Sequence, residues 1–192
     1  MTGSAPQKIV VMGFVIAMAN QLSGINAILY YAKQIFEKIV SPQEALNNAY
    51  YLGLLQVFVT FISGFMINSC GRRTLTLYGS SIIVFSLVTA FILDALIESS
   101  EKMVIMLIFL HIIGFSISLG PISFIYAAEI MENLGFVVVV NWVFTILVSL
   151  FSEIMINSFG IGKVFLFYGL STLACLLYMQ KFMVESKGLT RS

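Results

Sequence analysis

The stretch NQLSGINAILYYAKQIF, residues 20–36, places many hydrogen-bonding side chains inside a long apolar segment. Those side chains belong to Asn20, Gln21, Ser23, Asn26, Tyr30, Tyr31 and Gln34. The segment covers residues 9–35, and about 20 mostly apolar residues suffice for a bilayer-spanning helix. Because an unsatisfied polar side chain is costly in hydrocarbon, these groups must face other helices or a wet cavity. The stretch therefore predicts a membrane helix with one polar side.

Composition places the chain among integral membrane proteins. Of its 192 residues, 59% are hydrophobic and 10% are charged, and the mean hydropathy is +1.01. A soluble domain carries about 25% charged residues. The net charge of +1 gives no nucleic-acid signal, and Cys70 and Cys175 lack the spacing of a metal or redox site. We therefore expect an all-α membrane protein without a cofactor.

Six apolar stretches are long enough to span a bilayer, and short polar connections separate them. They cover residues 9–35, 45–69, 75–97, 103–130, 136–159 and 164–182. The predicted organisation is a tail over residues 1–8, a six-helix bundle over 9–183 and a second tail over 184–192. Because the connections are short, we expect successive helices to be antiparallel neighbours.

The basic residues predict the orientation of these spans. Six spans put both termini on one side, which carries Lys8, Arg72, Arg73, Lys181, Lys187 and Arg191. The opposite side carries Lys33, Lys38, Lys102 and Lys163. Because short cytoplasmic loops are enriched in Lys and Arg, we predict that both termini are cytoplasmic.

Polar groups in the first span share a face, which favours a wet cavity over simple helix contacts. A single amide in a membrane span most often hydrogen-bonds a neighbouring helix, worth about 0.6 kcal/mol. Asn20, Ser23 and Asn26 instead recur at steps of three, and Tyr30 continues their stripe. Gly24 can loosen the helix in the middle of this stripe.

The later spans add scattered polar and aromatic groups at mid-membrane depth. They include Gln56, Thr60, Ser116, Ser118, Ser123, Phe124, Tyr126, Asn141, Trp142, Thr145 and Ser149. Gly120-Pro121 interrupts the helical hydrogen-bond ladder of the fourth span, which predicts a hinge there.

This inventory suits a neutral, polyhydroxylated ligand. Amides and hydroxyls donate and accept hydrogen bonds without charge, and the rings of Trp142 and Phe124 can stack on a pyranose. An ion or proton pathway would instead need carboxylates or histidines at depth. We interpret His111 as a packed or hydrogen-bonded histidine and Glu153 as a pairing or snorkelling residue. Without a nucleophile–base pair, a metal-ligand cluster or a phosphate loop, the chain is not expected to be an enzyme.

Five motifs, in order along residues 9–190, resemble the sugar porter family of the major facilitator superfamily. NQLSGINAILYY resembles the family's seventh-helix motif Q-Q-x-S-G-x-N-x-x-x-Y-Y, and CGRRTL resembles its G-R-R turn. GPISFIYAAEI resembles the tenth-helix motif, NW at residues 141–142 the eleventh helix, and VESKGLT the signature after the twelfth. The resemblance implies the carboxy-terminal six-helix half-bundle of a major facilitator fold.

The resemblance also assigns roles to particular residues. It implies a substrate-binding set of Gln21, Asn26, Asn20, Gln56, Phe124, Asn141 and Trp142. It implies gate residues Tyr30, Tyr31, Gly120 and Pro121, and a cytoplasmic charge network of Arg72, Arg73, Glu129 and Glu185. In this chain Asn20 stands where the family has its first glutamine, and Phe124 stands where it has a tryptophan.

The chain also departs from the family pattern. It has six spans, whereas the family has two six-helix halves with the substrate between them. An amino-terminal half is therefore an expected partner, either from the same gene product, of which this chain is then a fragment, from a separate chain, or by self-association. Asn68, Ser116 and Phe136 replace charged residues of the family, and the segment between Glu129 and Asn141 is shorter by more than a helical turn.

The expected function is transport of a monosaccharide, specifically a hexose, by alternating access. The expected location is the lipid bilayer of the plasma membrane, where the chain would be a multi-pass protein. The lost charges and the shortened segment favour the alternative, a degenerate non-transporting sensor or scaffold derived from a sugar porter.

Overall fold

Breaks inside two of the apolar segments divide the six spans into eight helices. The protein is represented by a computed structural model, which describes residues 6–96, 101–131 and 133–188. The helices are α1 (Pro6–Leu22), α2 (Ile25–Glu37), α3 (Pro42–Cys70), α4 (Arg72–Leu96), α5 (Glu101–Ile117), α6 (Leu119–Ile130), α7 (Leu134–Phe159) and α8 (Ile161–Phe182). No strand occurs in the described part of the chain.

The prediction of six membrane spans is confirmed. Six helical stretches are long and apolar enough to cross a bilayer, with α1–α2 and α5–α6 each forming one of them. They are Gln7–Glu37, Pro42–Cys70, Arg72–Leu96, Lys102–Ile130, Leu134–Phe159 and Ile161–Phe182. The outer parts of the two predicted tails, residues 1–5 and 189–192, lie outside the described residues.

The first break lies at Gly24, where the sequence predicts a loosened helix. Gly24 has a left-handed backbone, with φ 79° and ψ 9°. This conformation favours glycine because any side chain would be strained there. A Cβ at this position would also lie 2.8 Å from Cγ of Tyr168. Backbone geometry and packing therefore both require glycine between α1 and α2.

The second break lies at Ser118, upstream of the position that the sequence indicates. The sequence predicts the hinge at Gly120-Pro121, but both residues lie in the first turn of α6. Ser118, with φ −129° and ψ −98°, separates α5 from α6. A proline ring clashes with the carbonyl four residues earlier and offers that carbonyl no N–H. Pro121 therefore ends the preceding helix at Ile117.

The pair α3 and α4 is an exception to the prediction that successive spans are neighbours, which holds for α2 with α3 and for α4 with α5. Gly71 alone connects the two helices, yet α4 packs mainly against α5 and α8. A one-residue connection joins two helix ends without fixing which faces meet along their length. Small residues allow α4 to pack closely against α5. A Cβ on Gly79 of α4 would lie 2.6 Å from the carbonyl oxygen of Gly114 in α5.

The first span occupies the middle of the bundle. Within its most apolar window, 61% of the residues are buried, against 22% for the spans formed by α3 and by α7. The helices α3 and α7 therefore present broad apolar faces to their surroundings, and the polar stretch of the first span lies among other helices.

Candidate functional site

A pocket of about 270 Å³ opens beside the two helix breaks. Its walls come from α1, α2, α5, α6 and α7. It is lined by Asn20, Gln21, Asn26, Tyr30, Phe115, Gly120, Phe124, Asn141, Trp142 and Thr145. Residues from five helices thus meet where the helical ladders are interrupted.

Four amide side chains form one hydrogen-bonded network in this pocket. Asn20 Nδ2 donates to the Leu119 carbonyl at 2.7 Å. Gln21 Nε2 donates to Asn20 Oδ1 at 2.9 Å and to Asn141 Oδ1 at 3.1 Å. Asn141 Nδ2 donates to Asn20 Oδ1 at 3.2 Å, and Asn26 Nδ2 donates to Gln21 Oε1. The network joins α1 and α2 to α6 and α7.

Hydroxyl groups fix the backbone around this network. Ser23 Oγ donates to the Asn20 carbonyl at 2.7 Å, at the end of α1. Thr145 Oγ1 donates to the Asn141 carbonyl at 2.9 Å, one turn along α7. These bonds satisfy polar groups that would otherwise be costly inside a membrane.

Aromatic rings form the outer part of the pocket. Trp142 and Tyr30 are each 61% exposed, and Phe124 is 38% exposed. None of the described residues that line the pocket carries a charged side chain. The site can therefore exchange hydrogen bonds with neutral hydroxyl groups and stack a flat apolar surface on its rings.

Three residues of the predicted site do not line the pocket: Gln56, Tyr31 and Pro121. Gln56 is partly exposed on α3. The Tyr31 hydroxyl donates to the Ser149 carbonyl at 3.0 Å and so connects α2 with α7. Pro121 acts on the backbone, as described above. Conversely, Phe115 and Thr145 line the pocket without having been predicted as site residues, and Phe115 has no distinguishing sequence signal.

The four residues of the predicted charge network lie together where α4 begins, α6 ends and α8 gives way to the following segment. Arg72 Nη2 lies 2.7 Å from Glu129 Oε1, and Arg72 Nε lies 3.0 Å from the same oxygen. The Glu185 carboxylate accepts from the backbone N–H of Arg72 at 2.8 Å and of Arg73 at 3.0 Å. Glu185 thus binds the positive end of α4.

These contacts change the pKa of Glu185, which lies outside the membrane spans. Burial raises the pKa of this carboxyl, but hydrogen bonds from the backbone N–H groups of Lys187, Arg72, Arg73 and Ser186 lower it. The hydrogen bonds outweigh burial, so the pKa of Glu185 lies below its ordinary value. The carboxylate is therefore held in its charged form.

His111 is packed, as the sequence predicts, but it is not hydrogen-bonded within the described part of the chain. The residue is fully buried in α5. Neither Nδ1 nor Nε2 has a hydrogen-bond partner among the described residues. The ring therefore leaves two polar atoms unsatisfied in the core of the bundle.

A family model and individual relatives of known name all identify the same protein family. The family model described as "Sugar (and other) transporter" matches residues 3–191. The arabinose-proton symporter of Bacillus subtilis is 29% identical over 192 residues, covering 95% of this chain and 41% of that protein. The glucose transporter GlcP of Staphylococcus epidermidis is 27% identical over 190 residues, covering 94% of this chain and 43% of that protein.

Solved structures match the same fold. The proton:xylose symporter XylE bound to 6-bromo-6-deoxy-D-glucose superposes with a TM-score of 0.79 at 27% identity, covering 94% of this chain and 41% of that one. A partially occluded inward-open conformation of XylE from E. coli gives a TM-score of 0.78. The chain thus spans about two fifths of the length of these relatives. This chain belongs to the sugar transporter family of the major facilitator superfamily and is a six-helix half of its integral, multi-pass membrane fold.

Proposed function

We propose that this chain forms one wall of a carrier that moves a monosaccharide across a membrane by alternating access. The observation that carries the proposal is the pocket itself. Four linked amides and three exposed aromatic rings line it, with no charged side chain among its described lining residues. Such groups can replace the water around sugar hydroxyls without binding an ion.

The proposed substrate is a hexose. The names of the relatives refer to glucose, arabinose and xylose, which are all monosaccharides. A hexose carries one more hydroxymethyl group than a pentose in the pyranose form. Glucose therefore tests the proposed hexose preference, and xylose tests the pentose alternative at the same pocket.

A second six-helix half is the proposed partner. The pocket is open on one side, and the chain covers 41% of the symporter from B. subtilis. We propose that an amino-terminal half from the same gene product closes the pocket. A separately encoded half and a second copy of this chain are the alternatives, which co-purification with differently tagged chains distinguishes.

The proposed location is the plasma membrane, with both ends of the bundle on the cytoplasmic side. Arg72 and Arg73 are the first two residues of α4, directly after the one-residue connection from α3, and basic residues beside such short connections are typical of the cytoplasmic side. Labelling of a cysteine introduced at Lys187 should occur from the cytoplasmic side only. Labelling from outside would reverse the proposed orientation.

The decisive experiment uses the only tryptophan of the chain, Trp142, as a built-in probe. Because Trp142 lines the pocket, binding of D-glucose should change its fluorescence saturably, whereas L-glucose should not. Uptake of labelled D-glucose by cells that express the gene product containing this chain should exceed uptake by cells without it. Absence of both signals with glucose, xylose and arabinose would reject the proposed function.

A further inference from the structure

The Asn20 carboxamide has a fixed orientation within the amide network. The Leu119 carbonyl can only accept, so the Asn20 atom 2.7 Å from it is the nitrogen. The oxygen therefore faces Gln21 and Asn141, and both of these present nitrogens to it, at 2.9 and 3.2 Å. The orientation of one amide thus determines the orientation of the next two.

Asn20 has used its whole hydrogen-bonding capacity. A carboxamide offers two N–H donors and two acceptor lone pairs. Nδ2 donates to the Leu119 carbonyl and to Ser123 Oγ, the latter at 3.4 Å. Oδ1 accepts from Gln21 and from Asn141. The side chain is only 5% exposed and has no free donor or acceptor with which to bind a ligand.

The neighbouring amides differ from Asn20 in this respect. Within the described residues, Asn26 uses a single N–H, on Gln21 Oε1, and it is partly exposed. Asn141 uses one N–H and one lone pair of its amide, on Asn20 and Gln21. Among the four amides, the unused donors and acceptors therefore lie mainly on Asn26 and Asn141.

Asn20 also connects the two broken spans. It lies near the end of α1, just before the break at Gly24. Its acceptor, Leu119, is the first residue of α6, just after the break at Ser118. The two residues are 99 positions apart in sequence. One side chain thus holds the start of α6 against the end of α1.

We propose that Asn20 is a positioning residue, which ties α6 to α1 and orients Gln21 and Asn141, while Asn26 and Asn141 contact the sugar. The inference rests on the proposed function for the sugar contacts. The tie between the helices does not require it. In this chain the first amide of the motif therefore acts through its neighbours.

The first arm of the test is independent of any sugar. Asn20→Leu removes the tie but leaves the bond from Gln21 to Asn141, and Ser123 still donates to the Leu119 carbonyl. Hydrogen–deuterium exchange should become faster in peptides covering residues 118–126 of Asn20→Leu. The matched variant Asn26→Leu should leave these peptides unchanged. Unchanged exchange in Asn20→Leu would overturn the proposed tie.

The second arm measures sugar affinity by Trp142 fluorescence, per folded protein, with glucose and its monodeoxy analogues. Asn20→Leu should weaken binding of every analogue by the same factor, about tenfold. The wild type should bind the analogue that lacks the hydroxyl contacting Asn26 more weakly than glucose. Asn26→Leu should bind that analogue and glucose equally well. If Asn20→Leu bound glucose and one monodeoxy analogue equally well, Asn20 would be a direct ligand of that hydroxyl. If Asn20→Leu bound every sugar as tightly as the wild type, Asn20 would have a purely structural role. Either result overturns the inference.

The exchange and binding experiments distinguish failure of this inference from failure of the proposed function. If the wild-type gene product containing this chain neither binds nor takes up sugar, the proposed function fails, while the exchange experiment still decides whether Asn20 ties α6 to α1. If Asn20→Leu does not fold, Asn20→Ala serves instead, because it removes both donors and both acceptors without adding bulk or a buried charge. It should also accelerate exchange over residues 118–126.

Discussion

At the scale of single residues, the pocket depends on how each amide divides its hydrogen bonds between protein and ligand. Asn26 is the clearest case, because it is partly exposed and bonded through one N–H to Gln21. Asn26 lines the pocket, and no other hydrogen bond of its side chain occurs within the described residues. A sugar hydroxyl can therefore bind it without displacing a protein contact.

Asn26→Ala is expected to weaken sugar binding by about 1–3 kcal/mol, because hydroxyls of the bound sugar lose their partner. Gln21→Ala should have an effect of the same size, since Gln21 holds both Asn26 and Asn141. Titration of Trp142 fluorescence measures both. Gln34→Ala, an exposed amide of α2 outside the pocket, is the matched control and should bind sugar normally. If Asn26→Ala and Gln21→Ala both bound sugar with normal affinity, these amides would have only a structural role.

His111→Leu is expected to stabilise the protein. The buried ring has two polar atoms without a partner among the described residues, and such a group costs about 1–3 kcal/mol. Replacement by an apolar side chain of similar size removes this penalty. Thermal unfolding in detergent should show a higher midpoint for His111→Leu and no gain for His111→Asn. A lower midpoint for His111→Leu would mean that the ring has a polar partner.

At the scale of helices, the two breaks bring the pocket together. Gly24 and Ser118 interrupt two spans at points that meet in the bundle, where Asn20 contacts Leu119. Backbone irregularity at membrane depth is tolerated where it is buried in protein or lines a cavity. The breaks satisfy both conditions.

Gly24→Ala is expected to destabilise the bundle. A left-handed backbone costs an ordinary residue about 1–2 kcal/mol. The added Cβ would also lie 2.8 Å from Tyr168, which must shift. Gly53→Ala in α3 is the matched control: its Cβ would meet nothing within 4 Å, and helix propensity favours alanine by about 1 kcal/mol. Unfolding midpoints should move in opposite directions, and a stable Gly24→Ala would contradict the left-handed break.

At the scale of the whole molecule, the charge cluster holds the end of the chain against the bundle. Glu185 binds the start of α4, and Ser186 Oγ donates to Glu129 at 2.6 Å. Lys187 Nζ donates to the Ser69 carbonyl at 2.8 Å at the end of α3. The segment after α8 therefore joins α3, α4 and α6 on one side of the membrane.

Glu185 should make stability depend on pH in a defined window. Its folded pKa lies below the ordinary value of 4.5, so its stabilising contribution is fully present above pH 4.5. That contribution is lost as pH falls through the lowered folded pKa. The stability difference between wild type and Glu185→Gln should therefore be constant near neutral pH and shrink below pH 4.5, as followed by thermal unfolding. A difference that grows on acidification would contradict the lowered pKa.

Sequence reasoning could predict the elements of this fold but only part of its site. Apolar length and composition predict each span locally, so all six were found. Pro121 also indicates a break, although its effect falls on the backbone before it, near Ser118. By contrast, Gln56 and Tyr31 lie outside the pocket lining because the packing of whole helices sets which way each face turns. That rotation is not encoded in the periodicity of one segment.

The amino-acid sequence specifies which segments of the chain enter the membrane, because burial of apolar side chains in lipid depends on local composition. It also determines which polar groups must find partners. The identity of those partners depends on how the helices pack in three dimensions. Asn20 is saturated because Leu119, Ser123 and Asn141, about a hundred positions away in sequence, surround it. Hydrogen-bonding capacity is a property of a side chain, but its use is decided by the neighbours that folding supplies.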